Sequence, residues 1–148
     1  MMPSDAVRSH LRQMNIVSFA ILLGILIFAG VVWFLLRSGG LPPKNLDLPP
    51  WIGPLFNAVA LGALLKAHFL PRIFKEPHSG SPEEAVLAWH RKAVILGSAL
   101  REAAAFSALV GAMLTGRLVG AMAMVGLAVF TMVLAWPREE QLRRVAGG

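Results

Sequence analysis

The chain contains no cysteine and no tyrosine, and few of its residues are charged. The lack of cysteine excludes disulfides, thiolate metal ligands and cysteine nucleophiles, and the lack of tyrosine excludes a phenolic acid. Charged residues make up 15% of the sequence and hydrophobic residues 56%, whereas soluble domains carry about 25% charged residues. This composition argues against a soluble enzyme. The formal net charge of +6 indicates membrane-flanking cations rather than nucleic-acid binding.

Four apolar segments are long enough, or nearly so, to cross a bilayer. They are 16–36, 51–70, 93–114 and 118–136, and a hydrocarbon core of about 30 Å needs roughly 20 helical residues. None of them alternates apolar and polar side chains with a period of two, which disfavours strands. The sequence therefore predicts an all-α fold, an integral membrane four-helix bundle that forms a single domain over 1–148.

The cations that flank these segments predict the orientation. One side holds only Arg37, Lys44 and Arg117, whereas the other holds both termini, the loop 71–92 and most of the flanking Lys and Arg residues. Because short cytoplasmic flanks are enriched in Lys and Arg, both termini are predicted to be cytoplasmic. Tryptophans near both expected interfaces agree with this orientation: Trp33, Trp51, Trp89 and Trp136.

The loop 71–92 contains a signal for the start of a helix. The run Ser81-Pro82-Glu83-Glu84 combines a capping serine, a proline suited to the first helical position and a glutamate three residues after the cap. The third helix is therefore predicted to begin near Pro82 and to continue to about Leu114. Pro71 is predicted to end the second span.

Three ionisable residues inside the predicted spans form a candidate intramembrane charge site: Glu102, Arg101 and Lys66. A charge near mid-bilayer costs at least ~2.5–3.5 kcal/mol, so such a residue is expected to face protein or water. Adjacent residues do not face each other on a helix, so Lys66 is the predicted partner of Glu102 in a structural ion pair. The alternatives are a carboxylate that binds a proton or a cation, and a contact with another subunit.

Small residues recur at intervals of four in the third and fourth segments. Ala104, Ala108 and Ala112 form one such series, and Gly116 and Gly120 another. Side chains of this size let helix backbones approach closely in a membrane. These five residues are predicted to mediate helix packing, either within a hairpin or at an interface with a further copy of the chain or with a partner protein.

The sequence predicts no catalytic, cofactor-binding or metal-binding residues. Four histidines fall on the predicted cytoplasmic side (His10, His68, His78 and His90), but none has the spacing of a zinc motif. Glycine-rich nucleotide-binding patterns and the Gly-x-Ser-x-Gly pattern are also absent.

The second half of the chain resembles a group of small, uncharacterised bacterial inner-membrane proteins of about this length. The similarity is carried by Ala99-Leu100-Arg101-Glu102-Ala103, by Gly111 with Thr115-Gly116, and by the closing run 136–140, Trp-Pro-Arg-Glu-Glu. Those proteins carry an Ala-Leu-x-Glu-Ala segment in their third helix. The resemblance implies four helices and a bacterial inner-membrane location, and it points to Glu102.

Two functions are consistent with these observations. The first is a non-catalytic accessory or assembly subunit of a larger membrane complex, since the loops are short and Arg101 is left without a carboxylate partner inside the chain, Glu102 being the only acid in a span. The second is a small oligomeric transporter coupled to protons or cations through Glu102. The predicted partners are the lipid bilayer and either other membrane subunits or further copies of this chain.

Overall fold

The computed structural model describes residues 5–40, 47–73, 77–78, 81–138 and 140. Within these residues the chain forms four α-helices and no strand: α1 (Asp5–Arg37), α2 (Ile52–Ile73), α3 (Glu83–Thr115) and α4 (Leu118–Leu134). The all-α, four-helix prediction is confirmed for this part of the chain. Several cations that predicted the orientation lie outside it, namely Lys44, Lys75, Arg143 and Arg144, and so does the side chain of Arg72.

Three of the helices, α1, α2 and α3, are long and apolar enough to cross a membrane. The fourth, α4, is apolar but has only 17 residues. At about 1.5 Å per residue it is roughly 25 Å long, slightly less than a hydrocarbon core of about 30 Å. The expectation of four full-length spans is therefore met by three helices and a shorter fourth.

Two helices end close to a proline. The part of α2 that is apolar enough to span a membrane is Ile52–Leu70, which ends just before Pro71 as predicted. The helix itself continues to Ile73, because a proline near a helix end removes only one helical hydrogen bond. Helix α4 ends at Leu134, two residues before the predicted end at Trp136. Trp136 precedes Pro137, and a residue before a proline is disfavoured in helical conformation.

The start of α3 also differs in detail from the prediction. The capping residue is Pro82, with φ −54° and ψ 141°, and no side chain caps this end of the helix. The Pro82 carbonyl accepts the first backbone bonds, from Ala85 and Val86. Ser81 was therefore placed one residue too early as the cap, although the predicted start of the helix was correct to within one residue.

Helix α3 lies at the centre of the bundle and packs against the other three helices. It runs parallel to α1, because His10 meets His90 near one end and Phe28 meets Phe106 further along both helices. It runs antiparallel to α2, where Gly53 lies near Thr115 and Phe56 near Gly111. A tight turn at Gly116 (φ 72°) joins α3 to α4 as antiparallel neighbours.

The interior of the bundle is formed mostly by small side chains, and many of its large apolar side chains point outward. Alanines of α2, α3 and α4 are buried, together with Ile25, Val32 and Leu109. Ile16, Phe19, Phe34, Val119 and Phe130 are more than half exposed. A soluble monomer rarely exposes apolar surface on this scale, and this distribution is expected when lipid surrounds the bundle.

Among the described glycines, Gly111 makes the closest approach to a neighbouring helix, between α3 and α2. A Cβ atom added to Gly111 would lie 2.6 Å from the Cβ of Phe56, which cannot rotate out of the way because it is bonded to the backbone. The two helices can therefore approach this closely only if residue 111 has no side chain.

We expect Gly111→Ala to separate α2 from α3 and to lower the free energy of unfolding by about 1–3 kcal/mol, as overpacking does in protein cores. The matched control is Gly62→Ala, because a Cβ at Gly62 meets nothing within 4 Å. The control should be neutral or stabilising, because alanine is the better helix former. Thermal unfolding of both variants in one detergent measures the difference, and equal midpoints would contradict this account of the contact.

Candidate functional site

Arg101 is buried on the inward face of α3, with 9% of its surface exposed. Its side chain turns back along its own helix, so that a Cβ on Gly97 would lie 2.9 Å from the Arg101 Nη1 atom. The missing side chain at Gly97 therefore makes room for the guanidinium group. The Arg101 Nε is buried and donates no hydrogen bond within the described residues.

Glu102 is half-buried and points away from α2. Ser107 donates a hydrogen bond to the Phe56 carbonyl of α2, and Gly111 contacts the same residue. At about 100° per residue, Glu102 is rotated about 140° from Ser107 and about 180° from Gly111. It therefore lies on the opposite side of α3 from α2.

Lys66 lies on the exposed face of α2. The α2 residues that pack inward are Ala60, Leu64, Ala67 and Leu70. Lys66 is rotated about 100° from Ala67 and about 160° from Leu64, so its side chain leaves the bundle on the lipid-facing side.

The expected ion pair between Lys66 and Glu102 is not formed. Within the described residues, neither side chain has an ion pair or a hydrogen bond. Their positions along the helices are compatible with a pair, but the rotation of each helix directs the two side chains to different faces of the bundle. The three residues of the candidate charge site, including Arg101, are therefore separated.

The predicted helix-packing residues occupy two environments. Ala104, Ala108 and Ala112 are buried inside the bundle, with at most 2% exposure. Gly116 forms the exposed turn after α3, and its N–H donates to the Ala112 carbonyl. Gly120 contacts α2, since a Cβ there would lie 2.7 Å from the Asn57 Nδ2. Packing within the chain thus accounts for the alanines and for Gly120.

Two of the concave regions in the described part of the bundle are large enough to consider as sites. The first, here called the glycine-lined cleft, has a volume of about 170 Å³, is lined by Gly53, Asn57, Gly111, Thr115 and Gly120, among others, and lies between α2, α3 and α4. The second, here called the α1 groove, has a volume of about 660 Å³ and is open to the outside. It is lined by Arg8, Leu11, Arg12, Asn15, Ile16, Phe19 and Trp136.

Two histidines from separate helices meet at the α1–α3 interface. The His10 Nε2 and the His90 Nδ1 are 3.1 Å apart, and both residues are buried. Because one ring must donate a hydrogen and the other accept it, the contact favours at least one neutral ring. Burial, and then the nearby positive charge of Arg91, lower the pKa of His10, which precedes the apolar run that begins at residue 16.

The sequence analysis did not predict this histidine pair. His10, Met14 and Ser18 recur every four residues and are all buried on α1, so the spacing was a signal that His10 faces the interior. Its partner could not be identified from the sequence, because the register between α1 and α3 is a tertiary property. The other two histidines, His68 and His78, are exposed.

In the described ranges, no three His, Asp or Glu side chains converge as metal ligands would. The histidine pair brings two such side chains together, which is fewer than the three or four protein ligands of a zinc site. The contact therefore joins two helices, and its two side chains are too few to form a zinc site.

No protein-family model, no curated protein and no solved structure matches this chain.

We expect acidification to destabilise the bundle through His10. A histidine whose pKa is lowered by folding binds its proton more weakly in the folded state than in the unfolded state. Its contribution to folding stability is therefore fully present above the ordinary histidine pKa of about 6.5, and it is lost as the pH falls from there toward the lowered pKa. Unfolding midpoints between pH 7.5 and 5 should decrease, and His10→Asn should flatten this dependence. His68→Gln is the matched control, since His68 is exposed. An unchanged pH profile in His10→Asn would contradict this assignment.

Proposed function

We propose that this chain is a non-catalytic integral membrane protein that acts as an accessory or assembly subunit of a larger complex. Its location is the bacterial inner membrane, and both of its termini face the cytoplasm. The observation that supports this function is the position of Lys66 on the exposed face of α2, with the half-buried Glu102 on the other side of α3 and each without an ionic partner among the described residues.

An unpaired charge inside a membrane is costly, so a partner subunit is expected to cover Lys66 and Glu102. An ionisable side chain inside a span normally faces protein or water. Lys66 points outward from α2 and is exposed, so a neighbouring helix on that side would bring a charge of opposite sign or a polar group. Glu102 is only half-buried, and its exposed part offers a second contact. Arg101 is enclosed by its own chain and does not take part in such a contact.

The distribution of these charges differs from that of an enzyme or a carrier. A catalytic or transport site gathers its polar groups around one cavity. The glycine-lined cleft and the α1 groove are lined by none of the three residues Lys66, Arg101 and Glu102. An exposed charge such as Lys66, separated from the other two, is better suited to binding a neighbouring subunit.

The orientation is supported by the distribution of exposed cations along the bundle. Because His10 contacts His90, the beginnings of α1 and α3 lie at the same end. Arg8, Arg12, Arg91 and Lys92 are exposed at that end, whereas Arg37 and Arg117 are exposed at the other. An excess of cations marks the cytoplasmic side.

Extraction of native membranes in mild detergent tests this function, with native electrophoresis followed by mass spectrometry of the band. The wild-type chain should migrate in a heavy band with defined companion proteins. We expect Lys66→Gln and Glu102→Gln each to shift the chain to a lighter band. Lys92→Gln, which removes an exposed charge outside the span, is the matched control and should leave the heavy band intact. A wild-type band that contains this chain alone would overturn the proposal.

A proton- or cation-coupled carrier is the second candidate, and one observation favours it. Buried polar residues follow the α1–α3 interface from the His10–His90 pair through Ser18 and Ser98 to Arg101, at the depth of Glu102. Intramembrane proton relays use chains of buried polar and ionisable side chains of this kind.

Liposomes that contain the purified chain test the carrier. Proton flux that Glu102→Gln abolishes and Glu102→Asp retains would establish it. If the wild-type chain conducts no protons above empty liposomes, or if Glu102→Gln changes only the amount of protein in the membrane, the carrier is excluded.

A further inference from the structure

The α1 groove is polar at one end and apolar at the other. Arg8 and Arg12 line one end and Ile16 and Phe19 the other. From residue 8 to residue 19, a helix rises about 16 Å at 1.5 Å per residue. The arginines precede the apolar run 16–36, whereas Ile16 and Phe19 belong to it, so the groove extends from the membrane surface into the hydrocarbon region.

The second wall of the groove comes from the far end of the chain. Trp136 follows the last turn of α4 and lines the groove opposite the beginning of α1. Tryptophan is enriched at the level of the lipid headgroups, and here it lines the same groove as the arginines. The groove is therefore bounded by α1 and by the residue Trp136 that follows α4.

We propose that the α1 groove binds one anionic phospholipid. Arg8 and Arg12 hold the phosphate, Trp136 lies against the glycerol region, and Ile16 and Phe19 contact the upper part of an acyl chain. The proposal assigns a ligand to residues that take no part in the proposed subunit contacts, and it does not depend on the identity of any companion subunit.

The charges around the groove favour an anion. Arg8 and Arg12 are exposed, and neither forms an ion pair with a described residue. They are four residues apart and therefore lie on the same face of α1, one above the other. Asp5 is the nearest acid on this helix, but it does not line the groove. Two cations on one face can therefore hold a phosphate that carries a further anionic or hydroxyl headgroup.

The apolar part of the groove separates a lipid from a soluble anion. Phe19 is 58% exposed and Ile16 60% exposed, directly beyond the arginines along the helix. A free phosphate would leave this surface uncovered, whereas an acyl chain covers it. A phospholipid thus matches both ends of the groove.

The test is native mass spectrometry of the purified full-length chain with phosphatidylglycerol or with phosphatidylcholine of the same acyl chains. Phosphatidylglycerol should remain bound in preference, with one lipid per chain at saturation. We expect the double variant Arg8→Gln/Arg12→Gln to weaken binding about thirtyfold, because each surface cation contributes roughly fivefold to binding an anionic lipid. Phe19→Ala should also weaken it, and both variants should keep the wild-type unfolding midpoint because these side chains are exposed.

The matched control is Arg91→Gln/Lys92→Gln, which removes two exposed cations of α3 at the same end of the bundle. It should leave binding unchanged, and an equal loss would show general electrostatic attraction and overturn the proposal. Displacement of the lipid by inorganic phosphate alone would overturn it in favour of a phosphate site. Tighter lipid binding after removal of residues 139–148 would identify the chain's own tail as the occupant, which also overturns it.

Discussion

The close approach of helices to α3 is the constraint on which the rest of this bundle depends. All three other helices pack against α3, and they reach it because its inward face consists largely of glycine, alanine and serine. The contact of Gly111 with Phe56 is the tightest example, with 2.6 Å between the Phe56 Cβ and the position of an added Cβ. In a membrane, where lipid is as apolar as the side chains, such packing is a main source of helix association. A larger side chain at these positions would separate the helices and remove their dispersion contacts.

This close packing also determines where the charged side chains lie. A bundle core built from small residues has little space for ion pairs, and Arg101 is accommodated only because it lies over Gly97. Lys66 is directed to the exposed face of α2, whereas Glu102 stays half-buried on the other side of α3. Among the polar groups that are buried, His10 and His90 are held by a contact with each other. The packing that stabilises the fold thus separates the two charges and leaves Lys66 on a surface that a neighbouring subunit could cover.

Much of the fold follows from local patterns in the sequence. The four helices are predicted from the apolar segments, and the start of α3 from Ser81-Pro82-Glu83-Glu84 to within one residue. The burial of Ala104, Ala108 and Ala112 agrees with their spacing of four. The helix ends were predicted less well than the spans: α2 continues two residues past Pro71, although its membrane-compatible part ends at Leu70, and α4 ends at Leu134 rather than Trp136. The Lys66–Glu102 pair was wrong for a different reason, since depth along a helix can be read from residue number but helix rotation depends on packing.

The sequence by itself determined that this protein is helical and suited to a membrane, because length and hydropathy depend only on composition along the chain. It also determined which residues are charged within the apolar segments. Only the tertiary structure decided which of those residues meet. The register of α1 against α3 brings His10 to His90, and the end of α4 places Trp136 in the same groove as Arg8 and Arg12. These contacts join residues about 80 or more positions apart, and they depend on how closely small side chains allow the helices to pack, which no local pattern specifies.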